Sequence, residues 1–220
     1  MSLDTMEHRE DNARVKILDL AEEYSFGSLL RVMKAKLQYL RFDGHMSEEI
    51  TRINVERGDS VGVLLYDPEE DLVVLTRQFR YPVYASLDPE VAQGREAKQS
   101  WFLEIVAGSV DPGHSAVEIA SKEILEEAGY VIQGDFRPIA TIFPSPGWTS
   151  ERIHLFLGLI DHKDRINVGG GDPSEGEDIQ VERLSLQVAM RMVDLGEVSD
   201  AKTIIALQHL ANLKSRGEEF

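Results

Sequence analysis

Three glutamates in one short stretch, Glu123, Glu126 and Glu127, have the residue types and spacing best suited to chemistry in this chain. They follow a loop rich in glycine and proline at residues 108–115. On a helix, Glu123 and Glu127 would lie one turn apart, and their charges would repel each other. A bound divalent cation would relieve this repulsion, because Mg²⁺ prefers hard carboxylate oxygens. The spacing therefore indicates a metal site, and the alternative is an ordinary solvated acidic face.

The element that must carry these glutamates is a helix with clear end signals. Ser115, followed three residues later by Glu118, is a capping-box pattern, and Gly129 stands where a glycine commonly ends a helix. The sequence therefore predicts a helix over residues 115–128, preceded by a strand over residues 101–107. Its buried face is predicted from apolar residues at helical spacing, namely Val117, Ala120, Ile124 and Ala128.

Strand patterns predominate in the rest of the chain. The alternation at residues 34–39 predicts a strand whose hairpin partner lies at residues 49–56. Other signals predict strands at 60–66, 72–79, 136–143 and 153–160, loops at 88–99 and 167–178, and helices at 184–195 and 200–214. Strands interleaved with few helices predict an α+β fold with a mixed sheet. We expect a small N-terminal β-sheet domain, residues 1–55, and a larger domain, residues 56–220.

The charge of the chain limits its partners. Acidic residues outnumber basic residues by 39 to 23, which gives a formal net charge of −16. A surface of this sign repels nucleic acids and anionic membranes, and no apolar run approaches the length of a membrane span, so we expect neither partner. The absence of cysteine excludes disulfides and thiolate metal sites, and it favours a reducing cytoplasm. An anionic substrate would require local cations, either a metal ion or arginine.

The glutamate-rich stretch resembles the Nudix box, G-x5-E-x7-R-E-U-x-E-E-x-G-U, where U is a bulky apolar residue. Two positions depart from the pattern, because His114 replaces the first glutamate and Lys122 replaces the arginine. The resemblance implies a Nudix-type α/β/α sandwich with a mixed sheet. The matching positions are Gly108, Glu123, Ile124, Glu126, Glu127, Gly129 and Tyr130.

Further segments extend the resemblance to the ADP-ribose pyrophosphatase branch of this family, and the branch implies roles for individual residues. The matching segments include residues 56–59, 78–80, 103–108, 145–147, 150–152 and 175–179. The implied metal ligands are the main-chain carbonyl of Ala107 and the carboxylates of Glu123, Glu127 and Glu177. Glu175 is the implied general base, and Glu177 is the alternative for that role. Glu126 is a further catalytic or bridging candidate. The implied substrate contacts are Arg52, Arg57, Arg80, Ser109 and Glu151.

The activity implied by the resemblance is Mg²⁺-dependent hydrolysis of a nucleoside-diphosphate sugar, with Mn²⁺ as an alternative metal. ADP-ribose would give AMP and ribose 5-phosphate, in a homodimer that exchanges its N-terminal domains. GDP-mannose or another such sugar is the alternative substrate, because Leu29 and Leu30 stand where the branch stacks aromatic rings on the base. Phe26 and Trp148 are candidate replacements for those rings. A non-catalytic nucleotide-sugar sensor is the alternative of another class.

Overall fold

The computed structural model describes residues 14–218 except 28, 89, 91–94 and 133. The chain divides into two compact units. One contains residues up to Gly58 together with Ser145–Glu151, and the other contains Asp59–Pro144 and the residues from Arg152 onward. Among the described residues, no helix is long and apolar enough to cross a membrane.

The first unit is built on a three-stranded antiparallel sheet in the order β1-β2-β3. Its strands are β1 (Val15–Phe26), β2 (Leu30–Tyr39) and β3 (Ile50–Glu56). The predicted hairpin is confirmed, since β2 pairs with β3 from Arg31 opposite Glu56 to Leu37 opposite Ile50. The segment 145–151 joins this unit through β3, because Val55 N–H donates to the carbonyl of Trp148 at 2.8 Å.

The second unit contains a mixed sheet, for which the described residues give seven strands. A five-strand path runs β10-β5-β4-β9-β8, with β6 paired to β5 and β7 paired to β4. β4 and β9 are parallel, and the other pairs are antiparallel. The strands are β4 (Ser60–Asp67), β5 (Leu72–Phe79), β6 (Trp101–Glu104), β7 (Val106–Ser109), β8 (Arg137–Ile142), β9 (Ile153–Leu159) and β10 (Gln180–Ser185).

Helices cover both faces of this sheet. A short helix α1 (Tyr81–Ala85) follows β5, and α2 (Ala116–Glu123) continues directly into a π-helical turn, Ile124–Ala128. Helices α3 (Leu186–Asp194) and α4 (Ala201–Ser215) lie near the C-terminus. One apolar core includes α3, α4 and residues of the sheet, and a second includes α2, its π turn and the opposite face. The predicted α+β class with a mixed sheet and a separate N-terminal sheet is confirmed.

Several local predictions need correction. The single strand predicted over residues 101–107 is wrong, because Ile105 interrupts it and its N–H donates to the Thr203 hydroxyl of α4 instead of a neighbouring strand. The predicted helix over 184–195 begins only after Ser185, and the strand β10 before it was missed. Val117 is 46% exposed, so it does not belong to the buried face of α2, and Ile119 takes that place.

Candidate active site

The glutamate helix begins and ends as its sequence predicts. The Ser115 side chain accepts a hydrogen bond from the Glu118 N–H, and the Glu118 carboxylate accepts one from the Ser115 N–H. Gly129 ends the helix in the left-handed conformation, with φ of 77°. The last turn differs from the prediction, because its π-helical winding widens the helix where Glu126 and Glu127 lie. Single π turns inside α-helices occur frequently at functional sites.

Glu127 is a buried carboxylate without a protein partner. Its residue is 1% exposed, and neither carboxylate oxygen has a hydrogen-bond partner among the described residues. Burial raises the pKa of Glu127 well above its ordinary value, and the charges of Glu123, Glu104 and Glu177 raise it further while Arg80 opposes them. An orphaned buried carboxylate costs free energy, which a bound cation can offset.

Glu123 lies against the glycine that opens the box. A Cβ atom built on Gly108 would meet Glu123 Cδ, Cγ and Oε1 at 2.4 Å, so only glycine leaves room for this carboxylate. Burial is the main cause that raises the Glu123 pKa to about 7, with Lys122 opposing and Glu126, Glu177 and Glu175 contributing. The Glu123 side chain therefore lies against Gly108 of β7, the residue that follows Ala107.

A run of three glycines, Gly169–Gly171, binds through hydrogen bonds to the end of this helix. These glycines belong to the loop at residues 167–178, here called the late acidic loop. Gly170 N–H donates to the Glu127 carbonyl at 2.9 Å, and Gly171 N–H donates to the Glu126 carbonyl at 3.0 Å. These carbonyls belong to the last turn of a helix, where they lack partners within the helix. A Cβ atom on Gly169 would approach the Glu127 carbonyl oxygen to 2.2 Å, which excludes side chains from this contact.

Glu175 and Glu177 occupy different environments within that loop. Glu177 is half-buried, and its Oε2 accepts a hydrogen bond from the Asp172 N–H at 2.9 Å. Glu175 is exposed at the end of a short 3₁₀ turn, Pro173–Glu175. Both carboxylates act on the pKa of Glu123, and Glu177 also acts on that of Glu127. The loop thus brings an anchored and an unanchored carboxylate toward the glutamate helix.

Arg80 is anchored by a buried carboxylate that sequence reasoning missed. Its Nε donates to Glu104 Oε1 at 2.6 Å, and Glu104 is 2% exposed. The other carboxylate oxygen of Glu104 pairs with Lys202 of α4, which also pairs with Asp200 at 3.1 Å. Glu104 was visible in the sequence as a charge at the end of an apolar strand, but Lys202 lies 98 residues away and no local pattern could have indicated it.

The other residues predicted to contact substrate are divided between the two units. Ser109 is exposed at the end of β7. Arg57 and Glu151 belong to the first unit, where Arg57 Nη1 lies 3.7 Å from Glu151 Oε2. Arg52 of the same unit is exposed and donates to the Thr51 carbonyl at 2.9 Å.

Arg152 holds Asp59 through two hydrogen bonds, at 2.6 and 3.1 Å, and this pairing lowers the Asp59 pKa.

The two residues that depart from the box pattern, Lys122 and His114, make contacts with residues nearby in the sequence. Lys122 Nζ lies 3.3 Å from Glu126 Oε2, one helical turn away, so the lysine retains an ion pair although it lacks the planar fork of arginine. His114 is exposed in the loop, and its N–H donates to the Asp111 carbonyl. The candidate stacking residues Phe26 and Trp148 are both exposed in the first unit, Trp148 to 56%.

The carboxylates suit a divalent metal ion that takes only part of its coordination from the protein. Within the described part of the chain, no group of three or more His, Asp or Glu side chains is already arranged to hold an ion. Mg²⁺ commonly takes one or two protein carboxylates and completes its shell with water and substrate phosphates. Two glutamates four residues apart, the half-buried Glu123 and the buried Glu127, whose carboxylate has no hydrogen-bond partner among the described residues, meet that requirement.

Comparison with known proteins identifies relatives of this chain. ADP-ribose pyrophosphatase from Escherichia coli is 32% identical over 191 residues, which cover 87% of this chain and 86% of that protein. GDP-mannose pyrophosphatase from Pectobacterium atrosepticum is 37% identical over 169 residues, 77% of this chain and 80% of that protein. A crystal structure of an ADP compounds hydrolase shares the fold, with a TM-score of 0.66 and 19% identity over 93% of this chain and 97% of that chain. A family model described as the NUDIX domain matches residues 56–207, and the chain therefore belongs to the Nudix hydrolase family.

Proposed function

We propose that the protein hydrolyses the pyrophosphate bond of a nucleoside-diphosphate sugar, with ADP-ribose as the first substrate and AMP and ribose 5-phosphate as its products. The buried Glu127 and the half-buried Glu123 carry the proposal, because two such carboxylates suit a divalent cation that binds diphosphate. The relative named ADP-ribose pyrophosphatase supports this substrate. The relative named GDP-mannose pyrophosphatase supports GDP-mannose as the alternative.

Mg²⁺ is the proposed metal, and Mn²⁺ is the alternative. Its proposed ligands are the Ala107 carbonyl and the carboxylates of Glu123, Glu127 and Glu177. A bound divalent cation neutralises charge on the diphosphate and lowers the pKa of coordinated water. The unpartnered oxygens of Glu127 support this assignment.

Glu175 is the proposed general base. Its carboxylate is exposed, whereas Glu177 is held by the Asp172 N–H, so Glu175 is the freer of the two to accept a proton from water. Glu126 remains a candidate for a bridging role, although its pairing with Lys122 limits it.

Substrate binding is assigned to Arg80 and Ser109 in the larger unit and to Arg52, Arg57 and Glu151 in the smaller one. Arg80 has the strongest support, because its anchored guanidinium retains terminal nitrogens that suit phosphate oxygens.

We also propose a cytoplasmic homodimer in which residues 1–55 form the exchanged, dimerising domain and residues 56–220 the hydrolase domain. The N-terminal sheet supports dimerisation, since several apolar side chains of its first strand are exposed. These are Val15, Ile17, Leu20, Tyr24 and Phe26.

Product analysis across a panel of ADP-ribose, GDP-mannose and other nucleoside-diphosphate sugars tests the proposed reaction. We expect AMP and ribose 5-phosphate from ADP-ribose when Mg²⁺ is present, and no products when it is withheld. Faster release of GMP from GDP-mannose would select the alternative substrate. Binding of sugar nucleotides without turnover of any of them would identify a sensor and contradict the proposed hydrolase.

A further inference from the structure

The N-terminal end of α4 is joined to the strands that carry the candidate site. Asp200 caps the helix by accepting from the Thr203 N–H at 3.0 Å. The Thr203 hydroxyl accepts from the Ile105 N–H at 2.8 Å, at the break between β6 and β7. Lys202 lies between Asp200 and Thr203 in the sequence, and its ammonium group pairs with Glu104. The helix therefore holds the backbone and a carboxylate of the same strand break.

Lys202 and Arg80 each bind a different oxygen of the buried Glu104 carboxylate. Arg80 Nε donates to Oε1, and Lys202 donates to Oε2. Arg80 contacts Glu104 through Nε, so its two terminal nitrogens lie outside this ion pair. With both carboxylate oxygens occupied by different cations, Glu104 fixes the guanidinium without drawing those terminal nitrogens to itself.

We propose that Lys202 is a positioning residue for substrate, because its hold on Glu104 keeps the terminal nitrogens of Arg80 available for a diphosphate. The inference rests on the proposed function, in which Arg80 contacts the substrate phosphates. Without Lys202, the free oxygen of Glu104 would attract the guanidinium into a two-pronged pair, the geometry that arginine and carboxylate favour. The same loss would remove one of the two cations that offset the buried negative charge of Glu104.

The test compares Lys202→Met with Lys202→Arg, each measured for KM and kcat on ADP-ribose with Mg²⁺. A matched control is Lys214→Met, because Lys214 lies on the same helix and pairs with Asp71. We expect Lys202→Met to raise KM about tenfold with a smaller change in kcat, and Lys202→Arg and Lys214→Met to stay near the wild type. An equal rise in KM for Lys214→Met would overturn the proposal.

A double-mutant cycle with Arg80→Ala separates positioning from general destabilisation. In the Arg80→Ala background, Lys202→Met should add less than about twofold to KM, since the group it positions is gone. A full tenfold effect in that background would overturn the proposal. If Lys202→Met does not fold, Glu104→Gln/Lys202→Met removes the uncompensated charge and should keep KM near the wild type. A rise in KM of about tenfold in this double variant would also contradict the proposal.

Failure of the proposed function can be recognised separately. If the wild type hydrolyses no sugar nucleotide, the reaction is wrong, and the role of Lys202 is then measured by calorimetric titration with inorganic pyrophosphate and Mg²⁺. The proposal predicts binding about tenfold weaker in Lys202→Met and unchanged in Lys202→Arg. Equal pyrophosphate affinity in the wild type and Lys202→Met would reject it.

Discussion

Glu123 and Glu127 retain their protons more readily in the folded chain than in the unfolded one. Burial raises the Glu123 pKa from 4.5 to about 7, and it raises the Glu127 pKa well above 4.5. Above pH 4.5 the unfolded chain releases protons that the folded chain still binds. The favourable contribution of these groups is therefore complete below pH 4.5 and is lost as the pH rises through the folded pKa values.

Metal-free protein should accordingly lose thermal stability between about pH 5 and about pH 8. Calorimetry in EDTA measures this loss, and added Mg²⁺ should restore the unfolding temperature at the higher pH with little effect at the lower one. Glu127→Gln should reduce the loss, because it removes one of the buried charges. Glu197→Gln, at an exposed position, is the control. An unfolding temperature that is flat or rising in EDTA over this range would contradict the account.

At the scale of elements, the end of the glutamate helix and the late acidic loop form one connected structure. The Gly169–Gly171 segment donates to the helix carbonyls, and the Asp172 N–H beside it holds the Glu177 carboxylate. A Cβ atom on Gly171 would lie 2.6 Å from Glu177 Oε2. The absence of a side chain at Gly171 thus contributes to where Glu177 lies.

Replacing Gly171 by alanine should displace Glu177 and weaken metal binding. Gly196 provides a matched control, because its φ of 75° resembles the 80° of Gly171 while a Cβ atom added to it would meet nothing within 4 Å. Both variants should lose about 1–2 kcal/mol of unfolding free energy from backbone strain. Only Gly171→Ala should raise the Mg²⁺ concentration for half-maximal rate, by about tenfold. Equal Mg²⁺ dependence in the two variants would remove Gly171 from the site.

Sequence signals predicted the elements whose determinants are local. The capping box at Ser115 and the glycine at Gly129 indicated both ends of the helix, because each rests on contacts within a few residues. The π turn was not predicted, and the Gly169–Gly171 segment that donates to its carbonyls lies some forty residues later, beyond the reach of local patterns. The break at Ile105 was missed for the same reason, because its partner is Thr203.

At the scale of the whole molecule, residue types identified the carboxylates but not the groups that hold them. Glu123 and Glu127 follow from the spacing of a single stretch. The Arg80–Glu104–Lys202 contacts join a strand end, a second strand and the last helix, so they emerge only when the larger unit folds. The nucleobase is the least predictable feature, because its candidate stacking residues, Phe26 and Trp148, are exposed, and exposure alone does not indicate a role.

The central claim is that a carboxylate buried at the end of the glutamate helix supports metal-dependent hydrolysis. Mg²⁺-dependent release of AMP from ADP-ribose by Glu127→Gln, beside the wild type, tests it most directly. We predict loss of at least about a thousandfold in rate, with circular dichroism and the unfolding temperature showing an intact fold. Full Mg²⁺-dependent activity in the folded variant would contradict the account.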